Sequence, residues 1–265
     1  MQRHGPQRDR PRVAKDELIC GTRPVIEALR GGLHVEKLLL RRDAGGEAVR
    51  EVKQLAQELG VPWQPVPSEK LDRLTRTEHQ GVIAFISPVA MQDLDGLIAQ
   101  LYQQGEDPFL VALDGVTDVR NIGAIARSAE CFAAHGLVVP KTGTARLGSD
   151  AVKSSAGALL RKPVCRVDRL PAALESAQAN GLRVVAVTEK ADTLIEDCDL
   201  RGPVVLVLGA EDTGISPAIL RKADALARIR MCGRIGSLNV GVAAGVALHE
   251  ALRQRRPTDP GQGVH

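Results

Sequence analysis

At 265 residues, with 44% apolar and 25% charged side chains, the chain has the makings of one large or two modest folded domains, which excludes a disordered or low-complexity protein. A net charge of +3 does not by itself call for a nucleic-acid partner. There is no run of about 20 apolar residues to span a bilayer and no apolar signal core at the N-terminus, so a cytoplasmic protein is expected.

Residues 1–17 carry five basic side chains (Arg3, Arg8, Arg10, Arg12 and Lys15) and read as a disordered basic arm. Residues 18–88 alternate β and α patterns and form a small domain. Within it, Val35–Leu40, Val61–Val66 and Val82–Ser87 read as strands, and Glu47–Leu59 as a helix closed by Gly60. A helix starts around Pro24, a residue suited to the first helical position, and a second is expected over Ser68–Arg76 with Ser68 as its cap. Residues 89–107 read as a connector, and residues 258–265 as a flexible tail.

Residues 108–257 form the second domain. Its strands, Phe109–Leu113, Gly136–Val139, Arg183–Val187, Val204–Leu208 and Leu226–Ile229, are almost continuously apolar, as strands buried on both faces of a parallel sheet are. Helices are expected between and after them at Ile122–Ala134, Leu170–Asn180, Pro217–Ala223 and Leu238–Arg255. The fold class is therefore α/β, with a parallel sheet behind a smaller α/β domain.

Five widely scattered cysteines without a C-x-x-C pair indicate reduced thiols rather than a zinc knuckle. The six histidines are scattered, and each reads as structural or solvated; no metal is expected. No G-x-G-x-x-G follows the first strand and no G-x-S-x-G occurs, so neither a dinucleotide fold nor a hydrolase elbow is supported.

Three segments place polar and small residues where a buried strand gives way to a helix, the position at which open α/β sheets bind ligands. The first runs from Leu113 to Ala129 and contains Asn121 and Arg127; alone, it allows a capping asparagine and a surface arginine. The second, Val204–Ser216, has the glycines of a phosphate loop at Gly209 and Gly214, but Ile215 stands where that loop needs lysine. Glu211 and Asp212 would repel phosphate and suit a ligand carrying positive charge, such as a sulfonium. The third, Ile229–Leu248, is crowded with small residues and offers Ser237 and Asn239 as capping or ligand groups; a tightly packed helix is its plain alternative.

Together, in order and at this spacing, the three segments resemble the signature motifs of the SpoU/TrmH ribose methyltransferases of the SPOUT superfamily. Leu113–Asp118, Val139-Pro140-Lys141 and Glu250–Arg255 are most similar to the RlmB type, which methylates a guanosine ribose of 23S rRNA. Cys20–Leu29 and His79–Val82 resemble that family's L30e-like RNA-binding module. The resemblance implies a C-terminal trefoil knot, a homodimer, an RNA substrate and S-adenosylmethionine as cofactor. It places cofactor contacts at Leu208, Gly209, Ile229, Met231 and Leu238, and catalytic roles at Asn121, Arg127, Glu211, Ser237 and Asn239. The chain departs from the family at Val119, Asp212, Gly236 and Gly241, where proline, glycine, serine and serine are usual. A tRNA ribose as substrate, or a non-catalytic RNA-binding or ribosome-assembly factor on the same scaffold, are the other readings.

One tryptophan, one tyrosine and three phenylalanines are too few for base stacking to carry RNA affinity. RNA binding is therefore expected to fall steeply as salt rises, while Trp63→Ala changes it little; filter binding across a salt series measures both.

Overall fold

The computed structural model describes residues 18–31 and 33–255, so the expected basic arm and the tail from residue 258 lie outside the described residues. The chain divides into two compact units between Pro88 and Val89.

The first unit consists of β1 (Leu18–Cys20), α1 (Thr22–Arg30), β2 (Val35–Arg41), α2 (Glu47–Glu58), β3 (Trp63–Val66), α3 (Ser68–Asp72) and β4 (Val82–Ile86). Its sheet has the order β1-β4-β2-β3, with β4 antiparallel to both neighbours and β3 parallel to β2. The two-residue period of a strand sorts the side chains. Leu38, Leu40, Val82 and Ala84 pack against α1 and α2 through Val25, Leu29, Val49 and Val52. Leu39, Ile83 and Phe85 turn to the other face, with Val66 and Leu71.

Two local expectations change. Pro24 is the third residue of α1, which starts at Thr22 after Gly21. A missing N–H costs little there, because the first turn has no intrahelical acceptors to lose. Ser68 opens α3 but does not cap it; its hydroxyl lies 3.4 Å from the Asp72 carboxylate, and the helix ends at Asp72.

The second unit comprises β5 (Met91–Gln92), α4 (Leu94–Gln103), β6 (Phe109–Asp114), α5 (Val119–Cys131), β7 (Gly136–Pro140), α6 (Ser149–Ser154), β8 (Val164–Val167), α7 (Leu170–Ala179), β9 (Arg183–Val187), β10 (Val204–Gly209), α8 (Pro217–Leu220), β11 (Ala225–Ala227) and α9 (Val240–Arg255). The seven strands form one sheet of order β11-β9-β10-β6-β7-β8-β5, parallel at every pairing. Phe109, Val111, Leu113, Leu206 and Leu208 face a core shared with α5, α6 and α9. The alternate residues Leu110, Ala112, Val205 and Val207 face α4, α7 and α8. Coverage of both faces is why these strands read as unbroken apolar runs.

Residues 89–107 are not a connector. β5 pairs with β8, Val89 is buried in the α5–α9 core, and α4 buries Leu94, Leu97, Ile98 and Leu101 against the opposite face of the sheet. Asp93 caps α4 by accepting a hydrogen bond from the Gly96 N–H at 2.8 Å. The strand β8 was also absent from the sequence reading; its Val-Cys-Arg-Val puts an arginine into a four-residue run. At the far end of α9, Arg255 donates to the carbonyls of Asp107, Leu200 and Gly202 and lies over the Phe109 ring at 4.8 Å. It thereby ties the last helix to the starts of β6 and β10. All five cysteines are free thiols. Among the described residues no helix is long and apolar enough to cross a membrane, and no cluster of His, Cys, Asp or Glu could hold a metal ion.

Because α4 is core, a fragment of residues 108–265 should be markedly less stable than one of residues 89–265. Leu97→Ala and Ile98→Ala should each lower the unfolding free energy by about 2–5 kcal/mol in urea titrations.

Candidate functional site

In a parallel sheet every strand delivers its C-terminal end to the same edge, and three loops meet there. The loop after β6 begins at Asp114 and ends at Asp118, the N-cap of α5, whose carboxylate accepts the Arg120 N–H at 2.7 Å. Asn121 is thus the third residue of the helix, not its cap, and its side chain is released for other contacts. Arg120 also holds the Asp118 carboxyl below its ordinary pKa by donating to it.

The loop after β10 doubles back on itself: the Gly214 N–H donates to the Ala210 carbonyl at 2.9 Å, with Gly214 at φ +68°. A Cβ at Gly209 would lie 2.2 Å from the Gly214 carbonyl carbon, so only glycine permits this fold-back. Asp114 anchors the same loop by accepting the Ser216 N–H at 2.7 Å. Asp212, where the family has glycine, is not in the left-handed region; it bonds the Thr213 N–H at 2.9 Å and leaves the positive φ to Gly214.

The third loop, 228–239, leads into α9, which starts at Val240 rather than at Leu238 as expected. The Asn239 side-chain oxygen accepts the N–H groups of Gly241 at 2.9 Å and Val242 at 3.3 Å, which caps the helix. Its amide nitrogen donates to Asn121 Oδ1 at 3.0 Å and to Glu211 Oε1. One asparagine therefore joins the first turn of α5, the loop after β10 and the start of α9. At Gly241 a Cβ would stand 3.1 Å from both the Ala124 Cβ and Asn239 Oδ1, so the glycine lets α9 lie close to α5.

Beside this node is a cleft of about 350 Å³ at the ends of β9, β10 and β11. That volume suits a small organic ligand. Leu208, Gly209, Ile229, Met231 and Leu238 all line it, as do Glu211 and Ser237. Asn121 and Asn239 do not line it; Asn239 is joined to it through its bond to Glu211, and Asn121 only through its bond to Asn239. Arg127 does not line the cleft. It is exposed on α5, about a turn and a half beyond Asn121, and has no hydrogen bond or ion pair among the described residues.

The sequence reading omitted Thr188, Glu189 and Lys190, which follow β9 and line the same cleft. It also left Asp114 without a role. The position of β9 beside β10 is the signal that would have found the first three, and strand order is not written in local sequence. The lining fits an S-adenosylmethionine molecule by its chemistry: aliphatic Leu208, Ile229 and Leu238 for an adenine ring, and acidic Glu189, Glu211 and Asp212 for a sulfonium and an amine.

Residues 108–249 match the SpoU rRNA methylase family, and residues 18–92 match the RNA 2′-O-ribose methyltransferase substrate-binding family. This chain belongs to the SpoU methyltransferase family. The Bacillus subtilis protein YacO, assigned to the TrmH family of tRNA/rRNA methyltransferases, is 34% identical over 241 residues, covering 91% of this chain and 97% of its own. An S-adenosylmethionine-bound rRNA methyltransferase from Sinorhizobium meliloti superposes with a TM-score of 0.58 at 27% identity, over 89% of this chain and 86% of that one. A TrmH/SpoU tRNA-modifying enzyme from A. aeolicus, 27% identical, has a TM-score of 0.50 and covers 61% of this chain and 83% of its own. The protein is thus a SpoU-family tRNA/rRNA methyltransferase that uses S-adenosylmethionine.

The SpoU node makes a discriminating prediction. Asn239→Ala loses the cap and should lower stability by about 1 kcal/mol. Asn239→Asp keeps the cap's acceptor oxygen but sets a second carboxylate against Glu211. It should retain most of the thermal stability and still lose methyl transfer, as melting curves and labelled-cofactor assays would show.

Proposed function

We propose that the protein transfers the methyl group of S-adenosylmethionine to a ribose 2′-hydroxyl of RNA, with a guanosine of 23S rRNA as the target. The observation that carries this reading is the Asn121–Asn239–Glu211 node at the mouth of a cleft suited to the cofactor. With the Asn239 amide fully engaged, the Asn121 amide nitrogen and the second Glu211 carboxylate oxygen are left to bind and orient a hydroxyl. The match of residues 18–92 to a ribose methyltransferase substrate-binding family supports ribose as the acceptor. Target choice follows from coverage. The rRNA methyltransferase spans 89% of this chain, whereas the tRNA-modifying enzyme spans 61%, a coverage that favours rRNA as the substrate of a chain with an additional N-terminal unit. A tRNA ribose is the second reading, supported by the tRNA/rRNA assignment of the Bacillus relative.

When bound, the cofactor supplies an activated methyl group on a good leaving group. The chain's task is to position the ribose and stabilise charge on its oxygen. Glu211 and Asn121 hold the Asn239 amide in place. Arginine stays protonated in proteins, so Arg127 acts as a cation: it clamps the neighbouring phosphate and stabilises the 2′-oxyanion, and the proton leaves to phosphate or water. The lack of a partner for its guanidinium among the described residues leaves it available for this. Leu208, Gly209, Ile229, Met231 and Leu238 would hold the cofactor, with Ser237 of the third loop in the same lining. The family's trefoil knot and homodimer belong to the same proposal; Val242 and Val246, 53% and 40% exposed one turn apart on α9, supply apolar surface for a second copy.

Arg127→Lys should lose nearly as much turnover as Arg127→Ala, on the order of 10²–10³-fold, because the planar fork is what clamps. Cofactor affinity by calorimetry should be almost unchanged. Turnover retained in Arg127→Ala would overturn the assignment.

A further inference from the structure

The sheet edge that carries the cleft is divided by charge. At the ends of β9 and β10 the cleft lining is acidic on balance, with Glu189, Glu211 and Asp212 against Lys190. At the ends of β7 and β8 it is basic. Residues 141–169 carry seven basic side chains against two acidic ones, a net +5 in a chain whose total is +3. The fold then sorts these charges. Arg161 and Lys162 precede β8 and so lie at the opposite edge. Lys141, Arg146, Lys153 and Arg169 follow β7 or β8, or sit in the loop and helix between them.

Hydrogen bonds gather this basic group around the loop that presents Asn121. The Ala145 N–H donates to the Val116 carbonyl at 3.2 Å, next to Arg146. Ser154 Oγ donates to the Val119 carbonyl at 3.2 Å, which joins the end of α6, where Lys153 lies, to the start of α5, where Arg120 lies. The Lys141 N–H donates to the Val167 carbonyl at 2.8 Å, closing the group along the ends of β7 and β8. The acids among them are few and local. Asp118 pairs with Arg120, whose side chain is 86% exposed, Asp168 pairs with Lys141, and Asp150 sits in the first turn of α6. Exposed pairs of this kind are weak enough for a phosphate to replace. Lys153 is exposed and has no ion pair or hydrogen bond among the described residues.

We infer that the rim formed by Arg120, Lys141, Arg146 and Lys153 is the track for the RNA backbone flanking the methylated nucleotide, on the side of Asn121 away from the cofactor. This inference rests on the ribose-methylation reading and deepens it. Several cations spread along a strand edge, rather than converging on one point, fit a polyanion with repeating phosphates and not a single small anion. Scarce aromatics agree, since phosphates must carry the affinity. The target ribose would then enter between the basic rim and the acidic cleft, where Asn121 stands.

The test uses the full chain and a transcribed fragment of 23S rRNA. Filter binding over a salt series is measured for wild type, Arg120→Gln, Lys153→Gln, the double variant and Arg161→Gln. Each rim substitution should reduce the slope of log affinity against log salt by about 0.7–0.9, and the double by about twice that, while Arg161→Gln leaves it unchanged. In methyl transfer the rim variants should raise KM for RNA and keep kcat and cofactor affinity. Unchanged slopes in the double variant, or an equal drop in Arg161→Gln, would overturn the rim even if wild type methylates RNA normally. A wild type that binds RNA with the rim-dependent slope but transfers no methyl would support the rim and overturn the ribose-methylation reading.

Discussion

The site depends on one amide. Asn239 has two acceptor lone pairs and two donor hydrogens on its side chain, and four partners use them. The oxygen takes the first free N–H groups of α9, while the nitrogen bonds Asn121 and Glu211. The same residue therefore starts the last helix and joins the first turn of α5 to the loop after β10. This fixes the entry of α9 onto α5, where Gly241 meets Ala124, and it places the cleft wall formed by Leu238 and Ser237 against that formed by Leu208 and Gly209. Helix capping and site assembly are one interaction here, and neither can be altered alone without a substitution that separates them.

The parallel sheet supplies the second constraint. Strands that all run one way leave their loops at one edge, so residues nearly 120 positions apart in sequence become hydrogen-bonding neighbours. The edge also collects charge of both signs, unevenly distributed along it. Acidic side chains at β9 and β10 suit a cationic cofactor, and basic ones around β7, β8 and the start of α5 suit a polyanion. Asn121 lies between the two, which is where a methyl group and a ribose have to be brought together.

Much of the second unit could be read from its residues. Unbroken apolar runs such as Val204–Leu208 announce strands buried on both sides, and all five cofactor positions carried over from the family line one cleft. Less could be read where the signal was short or mixed. The β8 strand holds Arg166 within four residues, β5 is two residues long, and α4 shows an apolar face without revealing what it faces. Caps were not legible either. Asp118 rather than Asn121 caps α5, and only the hydrogen bond from Arg120 N–H distinguishes two good capping residues three positions apart.

By itself the sequence determined the α/β class, most strands, and the residues of the three motifs, because burial on both faces of a sheet and tight strand-to-helix turns restrict local composition strongly. The tertiary structure alone decided which of those residues meet. Strand order places β9 next to β10 and so brings Glu189 to the cleft; the Gly209 fold-back turns Glu211 toward Asn239; and the packing of α5 leaves Arg127 exposed on a different part of the helix from Asn121. These are contacts between segments far apart in the chain, and local sequence carries no record of which partner a strand or a side chain will find.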